Sequence, residues 1–172
     1  MKQFYKKQPI IGVIGSGLES AYENKAYKMG KFIAKSGCIL LTGGGDGIMK
    51  AASKGAFEEG GLVIGILPSD GPDDLRYSKR YPNEYVHIPI YTGMSDARNS
   101  INIKSSSIIV AFPGGGTLSE IGLAVKNKKP IVVIGWESFG MDDYGRGSRV
   151  YHAEDVDVAK EIVERLLSEL EG

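Results

Sequence analysis

The sequence predicts an α/β protein: a doubly wound, Rossmann-like parallel sheet of six or seven strands with helices on both faces, in a single domain over residues 1–172. Three observations predict it. Short β-branched runs recur along the chain, segments of helical period lie between them, and three strand-to-helix turns are rich in glycine. A chain of 172 residues buries roughly 70% of its unfolded surface without disulfides or metals.

The first apolar run, PIIGVI at 9–14, predicts a strand that ends at Gly15, Ser16 and Gly17. Tyr22, Ala26, Met29 and Ile33, three or four residues apart, predict a helix with one apolar face. A second strand at 38–41 (CILL) closes on Thr42, Gly43, Gly44, Gly45, Asp46 and Gly47, and a helix follows over 48–59. Strands are predicted next at 62–67 and 86–90, separated by the polar stretch SDGPDDLRYSKRYPN at 69–83. Arg98 opens a short helix before a strand at 107–112, which stops at Pro113 and passes through Gly114, Gly115 and Gly116. A helix over 117–126, a strand at 130–134 and a second polar stretch at 136–149 come next. The last element is a helix from about Asp155, which aligns Ala159, Ile162, Val163, Leu166, Leu167 and Leu170.

The strand runs are continuously apolar rather than alternating, as a sheet covered on both faces requires. Alternating strands and helices imply right-handed crossovers. Ligands of open α/β sheets bind beyond the carboxyl ends of the strands, so the stretches 69–83 and 136–149 read either as walls of a site or as solvated loops.

Composition excludes several classes. Lys plus Arg (21) equals Asp plus Glu (21), which leaves no positive field to gather nucleic acid, so no nucleic-acid partner is expected. Cys38, alone in an apolar run, reads as a buried inert thiol, and His87 and His152 are too far apart in sequence for a zinc cluster. No metal is expected. The N-terminal MKQFYKKQPIIGVIG is neither a signal peptide nor a membrane span, which predicts a cytoplasmic protein with no membrane partner.

The glycine turns carry the chemistry. Without a side chain to hold a ligand away, backbone N–H groups at a helix start can converge on one anion, and phosphate is the obvious candidate. The first turn lacks the third glycine of the dinucleotide fingerprint, and the second strand ends in Thr42 and glycines rather than in the acid that binds a ribose hydroxyl. That disfavours a dehydrogenase, and the missing Gly-x-x-x-x-Gly-Lys-Ser/Thr excludes a P-loop. Thr117-Leu-Ser-Glu120 has two readings. By itself it is a capping box, with Thr117 as N-cap and Glu120 reaching back; after three glycines at a strand end, Glu120 instead stands at the sugar end of a nucleotide. Arg98 likewise pairs either with phosphate or, on the surface, with Asp96 or Glu120, and its position alone leaves both open.

Thr42-Gly-Gly-Gly-Asp-Gly-Ile-Met49 with Ala51 and Ala52, the segment from Met94 to Arg98, and Pro113-Gly-Gly-Gly-Thr-Leu-Ser-Glu120 together resemble the LOG (Lonely Guy) family. Its members were long labelled lysine decarboxylases, and its relatives include the molybdenum-cofactor carriers. The resemblance covers roughly residues 10–135. It implies a dimeric or tetrameric Rossmann-like protein whose glycine loops, together with Met49, bind a nucleotide or pterin-type ligand. In the enzymes it implies hydrolysis of a nucleoside 5′-monophosphate to base and ribose 5-phosphate with no cofactor required, and it assigns the family's arginine, glutamate and threonine to Arg98, Glu120 and Thr117. The carrier branch implies instead a bound molybdenum cofactor without turnover. Two departures stand out: the glycine loop is one residue shorter than the enzymes' Pro-Gly-Gly-x-Gly-Thr, and Asn99 replaces the basic residue after the arginine. Lysine decarboxylation needs pyridoxal phosphate on a lysine, and no lysine stands in these turns to hold it.

Overall fold

β-Branched segments too short for helices take the extended form and pair where both faces can be buried. In a computed structural model, which describes residues 7–136 and 147–172, they form seven strands: β1 (Ile10–Ile14), β2 (Ile39–Thr42), β3 (Val63–Leu67), β4 (Ile88–Tyr91), β5 (Ile108–Ala111), β6 (Ile131–Ile134) and β7 (Val150–Ala153). All pair in parallel in the order β4-β3-β2-β1-β5-β6-β7. The chain builds outward from β1 to β4 and then returns to the other side of β1 with β5. The carboxyl ends of β1 and β5, in register from Ile11 opposite Ile108 to Ile14 opposite Ala111, therefore flank the reversal of strand order, where this architecture leaves a crevice.

Helices α1 (Glu23–Lys35), α2 (Ile48–Glu58), α3 (Asn99–Ser105), α4 (Thr117–Lys126) and α5 (Val156–Glu171) fill the crossovers, with a 3-10 turn, Ser95–Arg98, leading into α3. Successive strand residues point to opposite faces, which divides the core in two. Ile11, Val13, Ile108 and Val110 meet α1, α2 and α5 through Ala26, Met29, Ala52, Val163 and Leu166. Ile14, Ile109, Ala111 and Val133 meet α3 and α4 through Ile103, Ile121 and Ala124. Between α1 and α2 the backbones touch: a β-carbon on Gly30 would lie 2.0 Å from the Ala52 carbonyl oxygen, and one on Gly55 2.1 Å from that of Tyr27.

Two strands depart from expectation. The run at 86–90 reads as doubly covered, yet Ile88 and Ile90 on β4 are each 43% exposed. The connection from β3 carries the polar loop 69–83 and no helix, so nothing on that crossover covers the sheet's edge. β7 was foreseen only as a count, because an edge strand with Ala153 as its one buried residue shows no continuous apolar run. Cys38 is buried, its thiol donating to the Ser36 carbonyl at 3.7 Å, and burial, with the Glu171 charge adding, raises its pKa. Among the described residues no helix is long and apolar enough to cross a membrane.

Candidate functional site

The three glycine turns meet at Ser16. Its N–H donates to the Pro113 carbonyl at 3.2 Å and its carbonyl accepts from the Ile48 N–H at 2.9 Å, so the turn after β1 is tied to the turn after β5 and to the first residue of α2. Between them opens a cleft of about 390 Å³, within the ordinary size range of ligand sites.

Of the residues singled out from sequence, Gly15, Ser16, Gly17, Gly43, Met49, Arg98, Gly115, Gly116 and Glu120 line this cleft. Gly44, Gly45, Asp46, Gly47, Gly114 and Thr117 do not line it. Gly45 lies under the Tyr81 ring, and Gly47, at φ 60°, backs onto the Ser16 and Leu18 carbonyls, where a β-carbon would come within 2.4 and 2.5 Å. Asp46 faces Arg80 at 3.6 Å.

The capping box does not form. The chain enters α4 from Gly116, so Thr117 is already the first helical residue, and no side chain caps the helix. A serine or threonine one place inside the cap has helical backbone angles and cannot reach its own N3 amide. Thr117 is buried, and its hydroxyl has no hydrogen-bond partner among the described residues.

Arg98 is not a surface residue. It ends the 3-10 turn at 6% exposure, its guanidinium lies 5.6 Å from the centre of the Tyr81 ring, and its Nε has no hydrogen-bond partner among the described residues. Among the described residues no carboxylate stands within ion-pair distance of it. Gly43 makes room for it, since a β-carbon there would sit 2.2 Å from Arg98 Nη1. Glu120, 8% exposed, feels the arginine only at longer range. Burial pushes its carboxyl up to about 7, against the pull of Arg98, with Asp96 adding to the push. The cleft thus joins a permanent buried cation to an acid that changes charge near neutral pH, the kind of perturbed pair that marks functional sites.

The loop 69–83 does form a wall. Arg80 and Tyr81 line the cleft, Arg80 donates to the Gly17 carbonyl at 2.9 Å, and Asn83 moors the loop through its N–H to Gly44 O at 2.7 Å and its Nδ2 to Gly45 O at 2.8 Å. For the stretch 136–149, residues 137–146 lie outside the described residues. Sequence reasoning missed Asp96 and Asn102 as lining residues. Asn102, four places after Arg98 and so on the same helical face, carried a signal that could have found it.

The SLOG cluster4 family model matches residues 8–160. The molybdenum cofactor binding protein from the phototrophic bacterium Rippkaea orientalis superposes with a TM-score of 0.83 at 36% identity, over 95% of this chain and 99% of that one. The Moco carrier protein from Chlamydomonas reinhardtii superposes with a TM-score of 0.80 at 40% identity, again over 95% and 99%. A probable cytokinin riboside 5′-monophosphate phosphoribohydrolase from Oryza sativa subsp. japonica is 29% identical over 128 residues, which is 73% of this chain and 50% of that protein. This chain therefore spans half of that relative's length.

Proposed function

From the premise that the chain belongs to the SLOG cluster4 family, within the LOG and molybdenum-cofactor-carrier superfamily, we propose that the cleft binds a small phosphate-bearing ligand of the nucleotide or pterin class. The observation that carries the reading is Arg98: a buried guanidinium with an unpaired Nε and, among the described residues, no carboxylate partner carries a desolvation cost that a bound anion relieves. The amides of Gly15, Gly17, Gly115 and Gly116, all lining the cleft, supply further donors for the phosphate, and Tyr81, lining it as well, offers a face on which a planar ring can stack.

The residues fit the cargo named for the solved relatives, a molybdenum cofactor, because such a group brings a phosphate and a planar heterocycle. In this reading the chain holds the ligand and releases it unchanged, without turnover.

Glu120 favours a second reading, hydrolysis of the N-glycosidic bond of a nucleoside 5′-monophosphate. As that bond opens, positive charge builds on the sugar, and a carboxylate held in a dry cleft stabilises it. Water adds to the anomeric carbon, the base leaves with the bonding electrons and takes up a proton, and ribose 5-phosphate remains.

One experiment separates the two. Purified wild type and Glu120→Gln are incubated with a panel of nucleoside 5′-monophosphates and base release is followed by chromatography, while mass spectrometry identifies whatever co-purifies. Release by the wild type alone selects the hydrolase. Tight binding with no release in either protein, or a co-purifying pterin, selects the carrier. Failure to bind any phosphate compound ends both readings. We further propose that the chain acts as one domain assembled into a homodimer or homotetramer, motivated by the exposed Ile88 and Ile90 at the sheet edge; a monomeric mass by light scattering would refute the assembly.

A further inference from the structure

The crossover segment that carries Arg98 also carries Asn102, and the two line the same cleft. Asn102 is 2% exposed. Its main-chain carbonyl is already used, accepting from Ser106 Oγ at 2.7 Å, but its side-chain Oδ1 is buried with no partner among the described residues. An amide oxygen sealed from water with nothing donating to it carries a desolvation penalty that the fold leaves uncompensated.

Phosphate cannot remove that penalty. Its ionised oxygens accept hydrogen bonds and do not donate them, so they match Arg98 Nε and the turn amides and leave the Asn102 Oδ1 oxygen unmatched. The cleft therefore sets an orphan acceptor, Asn102 Oδ1, beside an orphan donor, Arg98 Nε. Asparagine χ2 is a soft torsion, so the amide can turn toward the cleft at little cost.

We infer that Asn102 is a specificity-determining residue that accepts a hydrogen bond from an N–H or O–H on the non-phosphate part of the ligand, either a ring N–H or a sugar hydroxyl. The inference rests on the phosphate-ligand reading above. It makes the site one for an organic phosphate rather than for inorganic phosphate.

The test is Asn102→Leu, which keeps the branch at Cγ and replaces the amide oxygen and nitrogen by methyls, read in two ways. In ligand-free protein the substitution removes an unpaired buried amide, so the melting temperature holds or rises by about 2–4 °C. A fall of several degrees means that the amide is paired within the protein and overturns the inference whatever the ligand. Calorimetric titration with guanosine 5′-monophosphate, its 2′-deoxy analogue and inorganic phosphate supplies the second readout. The inference requires nucleotide affinity to drop roughly tenfold or more in the variant while inorganic phosphate affinity stays within about twofold.

If both nucleotides bind the wild type alike and both weaken, the donor is on the ring. If the deoxy analogue is weak already and does not weaken further, the donor is the 2′-hydroxyl. Equal nucleotide affinity in the two proteins, or a parallel loss of inorganic phosphate, overturns the inference while the phosphate site stands. No binding of any probe by the wild type overturns the ligand reading and the inference with it.

Discussion

Replacing Glu120 by glutamine tests the electrostatics of the cleft without any ligand. The Glu120 carboxyl is raised from 4.5 to about 7, first by burial and then by Asp96, with Arg98 opposing. Between those two values the native protein keeps a proton that the unfolded chain has lost, so the wild type loses stability as pH rises, by about 1.4 kcal/mol per pH unit. By pH 8 the accumulated loss is about 3 kcal/mol, whereas below pH 4.5 the side chain is neutral in both states and costs nothing. Glutamine never ionises. Every other titrating group is common to the two proteins, so the difference between them isolates this one. Urea denaturation at pH 4.5, 6 and 8, in buffers free of phosphate because a bound anion would stabilise the native state, should therefore give a variant that gains on the wild type by about 3 kcal/mol from the lowest pH to the highest. A difference that stays flat within about 1 kcal/mol would mean that the Glu120 carboxyl is not raised in the folded protein, and one that runs the other way that it is ionised and paired there. The case for an acid poised near neutrality would then fail.

Three further substitutions probe the geometry. In Gly43→Ala the added methyl would stand 2.2 Å from Arg98 Nη1 and 2.7 Å from Met49 Sδ; both are ends of long side chains, so stability should fall by only about 1 kcal/mol. Affinity for adenosine 5′-monophosphate should fall at least about tenfold, and unchanged affinity by calorimetry would remove Arg98 from the binding site. Gly30→Ala sets a helix-propensity gain of about 1 kcal/mol against a methyl placed 2.0 Å from the Ala52 carbonyl oxygen. Backbone cannot swing aside, so the clash should win, with a net loss of about 1–3 kcal/mol in urea denaturation; a stabilised variant would show that the helices part easily. Asn83→Ala removes the donor to the Gly45 carbonyl and the acceptor of the Tyr85 N–H at 3.1 Å. A loss of about 1–3 kcal/mol is expected, with faster hydrogen exchange at Tyr85, and unaltered exchange would mean that the loop 69–83 is held by other contacts.

The architecture was legible because parallel strands under two layers of helices must be apolar throughout, and six such runs are visible by eye. What stayed hidden depends on contacts distant in sequence. Ile88 and Ile90 look like any buried pair, and only the lack of a helix on the preceding crossover exposes them. The Thr-x-x-Glu spacing reads the same whether the helix begins at the threonine or one residue after it; here Gly116 already has helical angles, so the helix begins at Thr117. Arg98 could not be placed from its own neighbourhood, because the ring beside it, Tyr81, arrives from the loop 69–83. Asn102 looked like any polar residue of a short helix, its distinction being an oxygen that nothing reaches.

Ser16, bonded at once to Pro113 and to Ile48, makes the three turns one mechanical unit. Local openings of a protein follow such connections, since a segment hydrogen-bonded at both ends cannot fray alone. A ligand that grips any one turn therefore restrains the other two, and the entropy of ordering them is lost once rather than three times. Amide exchange at Ser16 and Ile48, separated by a strand, a helix and a turn in sequence, should slow by the same factor when the cleft fills. The middle strand of the sheet thereby acts as a clasp that closes in a single step.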